Sequence, residues 1–365
     1  MSGKTEHPHP YKSLPDTSFW KRSLVNRPLQ SVDPVVGVPF TLTPESRIAT
    51  AGSCFAQHIS RRLRASGFNY YVTEPAHSQV DEHTAALFNY GTFTARYGNV
   101  YTARQLLQLY QRAYGDFQPF DDVWKRSERN YLDPFRPQIQ PEGFFSEAEL
   151  HADRERHLAA VRQAFENLDV LVFTLGLTEC WVSKRDGAVF PVCPGVAGGT
   201  FDPDEYEFKN FGVADVVADM RSFISRLRER NVDARVILTV SPVPLVATAE
   251  PQHVLVATTY SKSVLRVAAQ ELATSLPDVV YFPSFELITG QFTRGRYLGP
   301  DLRSVTEEGV EHVMRVFLRH YAGAEPSDGG EPETVAEISV GAAYAAEMEL
   351  AAKVNCDDEA LDSEP

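Results

Sequence analysis

The chain has 365 residues, room for one large α/β domain with appendages or two modest domains. Hydrophobic residues at 43% and charged residues at 23% are ordinary globular usage, which excludes disorder, collagen-like repeats and coiled coil for the bulk of it. The formal charge of -14 is concentrated at one end: residues 325–365 hold 12 acids against the single base Lys353, and the rest of the chain is nearly neutral.

This distribution excludes classes of partner. Nucleic-acid binding draws on clustered Lys and Arg, and no part of the chain has a basic excess, so nucleic acid is not an expected ligand. No apolar run approaches the roughly 20 residues of a spanning helix, and residues 1–20 lack the apolar core of a signal peptide, so neither membrane insertion nor export is expected. Cys54, Cys180, Cys193 and Cys356 are too scattered for a disulfide framework or a zinc site, which predicts reduced thiols and a cytoplasmic protein.

In chain order, residues 1–45 are proline-rich and aperiodic and predict an extended N-terminal arm. Residues 47–51 read as a strand, 55–65 as a helix and 68–72 as an aromatic strand. Residues 74–145 predict an irregular insertion with a helix near 102–113. Thereafter helices and continuous apolar strands alternate: helix 146–167 and strand 170–175, helix 213–230 and strand 235–240, helix 261–275 and strand 279–282, and a last helix near 306–321. This is the pattern of a doubly wound parallel sheet of about five strands, covered on both faces, within an α/β domain over 46–323. Residues 324–365 predict an acidic, mobile, solvated tail with an isolated helix over 334–354.

In open α/β sheets ligands bind beyond the carboxyl ends of the strands, so the residues just after each strand carry the information. After the first strand come Gly52, Ser53 and Cys54, with a helix starting at once; a Ser or Cys there sits at a positive helix N-terminus whose amides suit a developing oxyanion. The second strand ends at Gly176, Leu177, Thr178 and Glu179, and the third at Ser241-Pro242-Val243-Pro244. A later block reads Asp301-Leu302-Arg303-Ser304. Each has a plainer reading beside it: a buried thiol in a helix-capping turn, a strand-end turn, a surface loop.

The stretch AGSCFA at 51–56 resembles the signature of the GSCFA family, bacterial proteins related to the SGNH (GDSL-like) hydrolases. YGNVYTARQLLQL (97–109), DPFRP (133–137), TLGLTE (174–179), TVSPVPL (239–245) and YSKSVLR (260–266) also resemble that family. The resemblance implies an SGNH or flavodoxin-like three-layer fold and a hydrolase or acyltransferase acting on an ester or thioester, on a small-molecule or acyl-carrier-linked substrate, with no metal or dissociable cofactor. Setting the wider group's Gly-Asp-Ser-Leu block on 52–55 puts Cys54 in the nucleophile's position; a shift of one residue puts Ser53 there. The Gly-x-Asn-Asp block falls on Gly176-Leu177-Thr178-Glu179, which implies an oxyanion role for this turn. The Asp-x-x-His block falls on 301–304, with Ser304 where the group has its basic histidine. His253 is the nearest substitute for that base, followed by His58 and Lys262, while Asp301 would orient or neutralise a nearby cation. Arg96, Arg104, Arg129 and Arg136 would either clamp an anionic substrate or pair internally. A binding module that keeps the pocket without turnover is the alternative reading.

Overall fold

The computed structural model describes residues 9–322 together with Asp357 and Leu361. The expected tail helix over 334–354 lies outside the described residues.

The first unit is strand β1 (Ile48–Gly52) followed after two residues by helix α1 (Phe55–Ala65). Helix α2 (Ala103–Tyr114) starts at a reciprocal cap, in which Thr102 and Gln105 satisfy each other's backbone amides, and stops at Gly115 in the left-handed conformation. Helix α3 (Glu147–Asn167), capped by Ser146, leads into strand β2 (Val170–Leu175). A small antiparallel sheet follows, from strands β3 (Glu179–Ser183), β4 (Val189–Phe190) and β5 (Tyr206–Asn210) in the order β4–β3–β5. Helix α4 (Val213–Arg230), strand β6 (Arg235–Val240), helix α5 (Val254–Ser275), strand β7 (Val279–Tyr281) and helix α6 (Glu307–Tyr321) complete the alternation.

The main sheet is parallel, in the order β1–β2–β6–β7. Its strands are apolar on both faces because both faces are covered. Leu171, Phe173 and Leu175 point into a core shared with α2, α3, α4 and α5, while Val170 and Val172 point into a second core shared with α1 and α6.

Three features differ from the expectation. The fifth strand, expected at 68–72, is reduced to one parallel bridge between Ile48 and Tyr70. The chain leaves the sheet at Thr73, whose N–H donates to Thr94 O, and the Thr94 hydroxyl accepts from Thr50 N–H at 3.0 Å, so the outer edge of β1 is satisfied by this crossing segment. The antiparallel sheet was not anticipated at all. Helix α5 also begins two turns earlier than expected, at Val254.

Residues 28–42 lie along α6: Leu42 N–H donates to Tyr321 O at 2.6 Å, and Asp33 pairs with Arg319 and His320. The insertion is tied to the body by buried ion pairs. Asp133 lies 2.9 Å from Arg136 and 3.2 Å from Arg154, and Asp153 pairs with both Arg136 (2.6 Å) and Arg96 (3.1 Å). Burial alone would raise the Asp133 carboxyl, but the surrounding guanidiniums of Arg154, Arg136 and Arg112 hold it well below the usual range. Arg104 pairs with Asp219 at 2.7 Å. Three of the four arginines considered as clamps, Arg96, Arg104 and Arg136, are therefore internally paired, and Arg129 is exposed.

Candidate functional site

The carboxyl end of β1 makes its turn by close approach. Gly52 has φ of +137°, and a Cβ there would fall 2.3 Å from Thr174 O on the neighbouring strand, so only glycine fits. Ser53 N–H donates to Thr174 O at 3.1 Å, and Cys54 stands at the N-cap of α1. Both side chains are buried. Among the described residues no acceptor is hydrogen-bonded to the amides of Cys54 and Phe55, the first donors of α1.

The second turn packs against the first. A Cβ on Gly176 would lie 2.8 Å from Ser53 Cβ and 3.1 Å from Tyr101 O. Helix α5 holds this turn from the other side: Lys262 Nζ donates to Gly176 O at 2.7 Å, and Ser261 Oγ accepts from Thr178 N–H at 3.2 Å. The Gly176 and Leu177 amides both donate to Tyr101 O at 3.0 Å, so these two amides of the turn to which the resemblance gives an oxyanion role are engaged. Glu179, the last residue of the turn, accepts from Thr248 Oγ1 at 2.8 Å; burial pushes its carboxyl up, partly offset by that bond.

Three hydroxyls buried in this region, Ser53 Oγ, Thr174 Oγ1 and Thr178 Oγ1, have no hydrogen-bond partner among the described residues. An unpaired buried hydroxyl costs on the order of 1–3 kcal/mol, so three at two adjoining strand ends mark a place where stability is given up for something else.

A third segment closes the site. Val100 N–H donates to Gly52 O at 2.8 Å, laying residues 99–101 along the turn. Gln57, one turn into α1 from Ser53 and Cys54, donates through Nε2 to Asn99 Oδ1 at 3.1 Å. Asn99 Nδ2 donates to Asp357 Oδ2 at 2.8 Å, the Tyr101 hydroxyl donates to the same oxygen at 3.3 Å, and Asp357 N–H donates to the Tyr101 hydroxyl at 2.9 Å.

The remaining expected residues are distributed as follows. Asp301 is exposed; one carboxylate oxygen accepts the amides of Arg303 and Ser304, the other is bonded to Ser304 Oγ, and these bonds hold its carboxyl low, the Ser304 hydroxyl most of all. Arg303 Nε reaches Pro244 O at 3.3 Å, placing this loop at the carboxyl edge of β6. His253 is exposed and caps α5, its Nδ1 accepting from Leu255 N–H at 3.1 Å. No described contact joins it to Ser53 or Cys54. His58 packs beside Phe55, and burial together with the charge of Arg61 pushes it down to about 4. Burial pushes the Cys180 thiol up to about 12 and the Cys193 thiol up to about 11. Among the described residues no group of three or more His, Cys, Asp or Glu could hold a metal ion, and no helix is long and apolar enough to cross a membrane.

The site thus brings together Ser53, Cys54, Gly176, Thr178 and, through Gly176, Lys262; it leaves His253 and Asp301 on other partners. Gln57, Asn99, Tyr101 and Asp357 were not singled out from sequence. The first three are polar residues at buried positions, and the only local signal was the stretch 97–109 already noted for its resemblance.

No curated protein matches the chain. Among solved structures it is similar to a Corynascus thermopiles (Myceliophthora fergusii) carbohydrate esterase family 2 enzyme with a carbohydrate-binding domain, at 13% identity and a TM-score of 0.29, covering 78% of this chain and 68% of that one. The GSCFA family profile matches residues 47–317, from the start of β1 into the last helix and across all three segments of the site. The chain belongs to the GSCFA family.

Proposed function

We propose that the β1–α1 turn carries acyl transfer from an ester or thioester, with Cys54 as nucleophile. The observation that carries this reading is the set of unpaired buried hydroxyls of Ser53, Thr174 and Thr178 along the adjoining ends of β1 and β2, where α1 begins. Hydroxyl donors and free helix amides at one place suit an oxyanion that forms only during reaction. The thiolate attacks the carbonyl carbon, a C–S bond forms, and the bond to the leaving group breaks. Lys262, fixed on Gly176 O beside Ser53, gives that leaving group its proton. Water then attacks the acyl thioester, returns a proton to Lys262, releases the acid and restores the thiolate; an alcohol or amine in place of water makes the same step a transfer. Ser53 and Thr178 serve as oxyanion donors, and the substrate is a small molecule or an acyl group on a carrier.

A second reading, a pocket without turnover, is favoured by two observations: the Gly176 amide is already bonded to Tyr101 O, and Asp301 is bonded within its own loop. Turnover separates the readings. Short-chain p-nitrophenyl esters and acyl thioesters should be cleaved by the native chain and not by Cys54→Ala, with Lys262→Met reduced about 10²-fold or more and His253→Ala unchanged. Activity that survives Cys54→Ala but not Ser53→Ala moves the nucleophile to Ser53; loss in His253→Ala alone makes that histidine the proton carrier. No turnover on any acyl donor supports the binding module.

A further inference from the structure

Asp357 is almost fully buried, 4% exposed, although its neighbours in sequence are acidic. A carboxylate enters a protein interior only where donors replace its water, and here they are in place. Asn99 Nδ2 (2.8 Å) and the Tyr101 hydroxyl (3.3 Å) converge on one carboxylate oxygen, and the same hydroxyl accepts the Asp357 amide at 2.9 Å. The donors are preset by bonds that do not involve Asp357. Gln57 fixes the Asn99 amide through Oδ1, and the Tyr101 backbone is pinned by the amides of Gly176 and Leu177. Asn99 and Tyr101, two residues apart in extended chain, reach out on the same side, while Val100 between them is bonded to Gly52 O. The carboxylate therefore lies on the segment that closes the nucleophile turn.

We propose that Asn99 and Tyr101, backed by Gln57, form a carboxylate-binding subsite beside the Cys54 turn, and that Asp357 fills it in cis as an internal competitor for acidic ligands. The subsite stands on these contacts alone; only the choice of Cys54 as the reporting atom rests on the function proposed above. The geometry favours an acidic peptide-like ligand, because it pairs a carboxylate acceptor with a backbone N–H donor on one tyrosine hydroxyl.

The test uses the full chain and alkylation of Cys54 by iodoacetamide, in which the S–C bond forms and iodide leaves, so that acyl chemistry plays no part. Modification of the Cys54 peptide is followed by mass spectrometry in the native chain, Asp357→Ala and Tyr101→Phe. Losing charge-assisted bonds should expose the turn, and Asp357→Ala should be modified about tenfold faster than the native chain. A peptide of residues 355–361 carrying Cys356→Ser, added in trans, should slow Asp357→Ala and leave the native rate unchanged. Tyr101→Phe, which removes both bonds of the tyrosine hydroxyl to Asp357 at nearly constant volume, should raise amide exchange in the 355–361 segment. Equal Cys54 rates in the native and Asp357→Ala chains, or exchange in 355–361 as fast in the native chain as in the free peptide, would overturn the proposal. Failure of turnover with these rates as expected would remove the acyl-transfer reading and leave the subsite standing.

Discussion

The Cβ that Gly176 lacks would sit 2.8 Å from the Cβ of Ser53, so the two strand-end turns meet with no room for a methyl group. The turns expected at 52–54 and 176–179 therefore lie side by side, and the contact fixes how close they come. Gly176→Ala should push the turns apart, costing about 1–3 kcal/mol of stability in urea denaturation and at least tenfold in acyl turnover. Native-like stability and turnover would show that the turns can separate freely.

Ser53 separates a structural role from a functional one. Its hydroxyl is buried without a partner among the described residues, so removing it takes away a desolvated group and no hydrogen bond. Ser53→Ala should leave stability unchanged or raise it by up to about 1 kcal/mol, while acyl turnover falls about 10²-fold through loss of an oxyanion donor. A destabilised variant with intact turnover would make Ser53 a packing residue.

The insertion should depend on Asp133. This carboxylate is completely buried among Arg136, Arg154 and Arg112. Asp133→Asn keeps the shape and removes the charge, leaving guanidiniums without their counterion, at a cost of about 3–5 kcal/mol. A change below about 1 kcal/mol in the urea midpoint analysis would mean that Asp153 alone suffices.

His58 gives stability a dependence on pH. Its folded value of about 4 lies below the ordinary 6.5, because burial and Arg61 disfavour the imidazolium. The unfolded chain takes up this proton first as pH falls, so the contribution of neutral His58 is full above about 6.5 and is lost as pH drops from there towards 4. With allowance for its partial exposure, the native chain should lose about 1–2 kcal/mol more than His58→Gln between pH 7 and pH 5. Parallel denaturation curves for the two chains at both pH values would contradict this origin.

The fold was legible where local chemistry and global packing agree. The runs VLVFTL and RVILTV are apolar at every position because both faces of the sheet are covered, and Thr102 with Gln105 announces the start of α2. The strand at 68–72 was read longer than it is: Asn69 O and Tyr71 N–H bond along the sheet to Ile48, and at Thr73 the chain turns away to Thr94. The antiparallel sheet was missed because Tyr206–Asn210 is half-buried and polar, and its partner strand begins at Glu179, which was read as part of the turn at 176–179. In the site, Gly52 and Gly176 were readable because close backbone approach demands glycine. His253 was read as a loop residue near the strand edge, whereas it caps a helix that starts at the next residue. Asp357 was not readable at all: nothing in an acidic stretch says that one member docks on a tyrosine 256 residues away.

Catalysis at this turn requires that Cys54 become acylated. Rapid acid quenching of the full chain mixed with an activated acyl ester, followed by peptide mass mapping, reads this directly. The expected result is an added acyl mass on the peptide containing Cys54, formed within the first turnover, discharged by water or an acceptor and absent in Cys54→Ala, with Cys180 and Cys193 unmodified because burial keeps their thiols protonated. Acyl mass spread over other residues, or a Cys54 adduct that forms and never discharges, would contradict it.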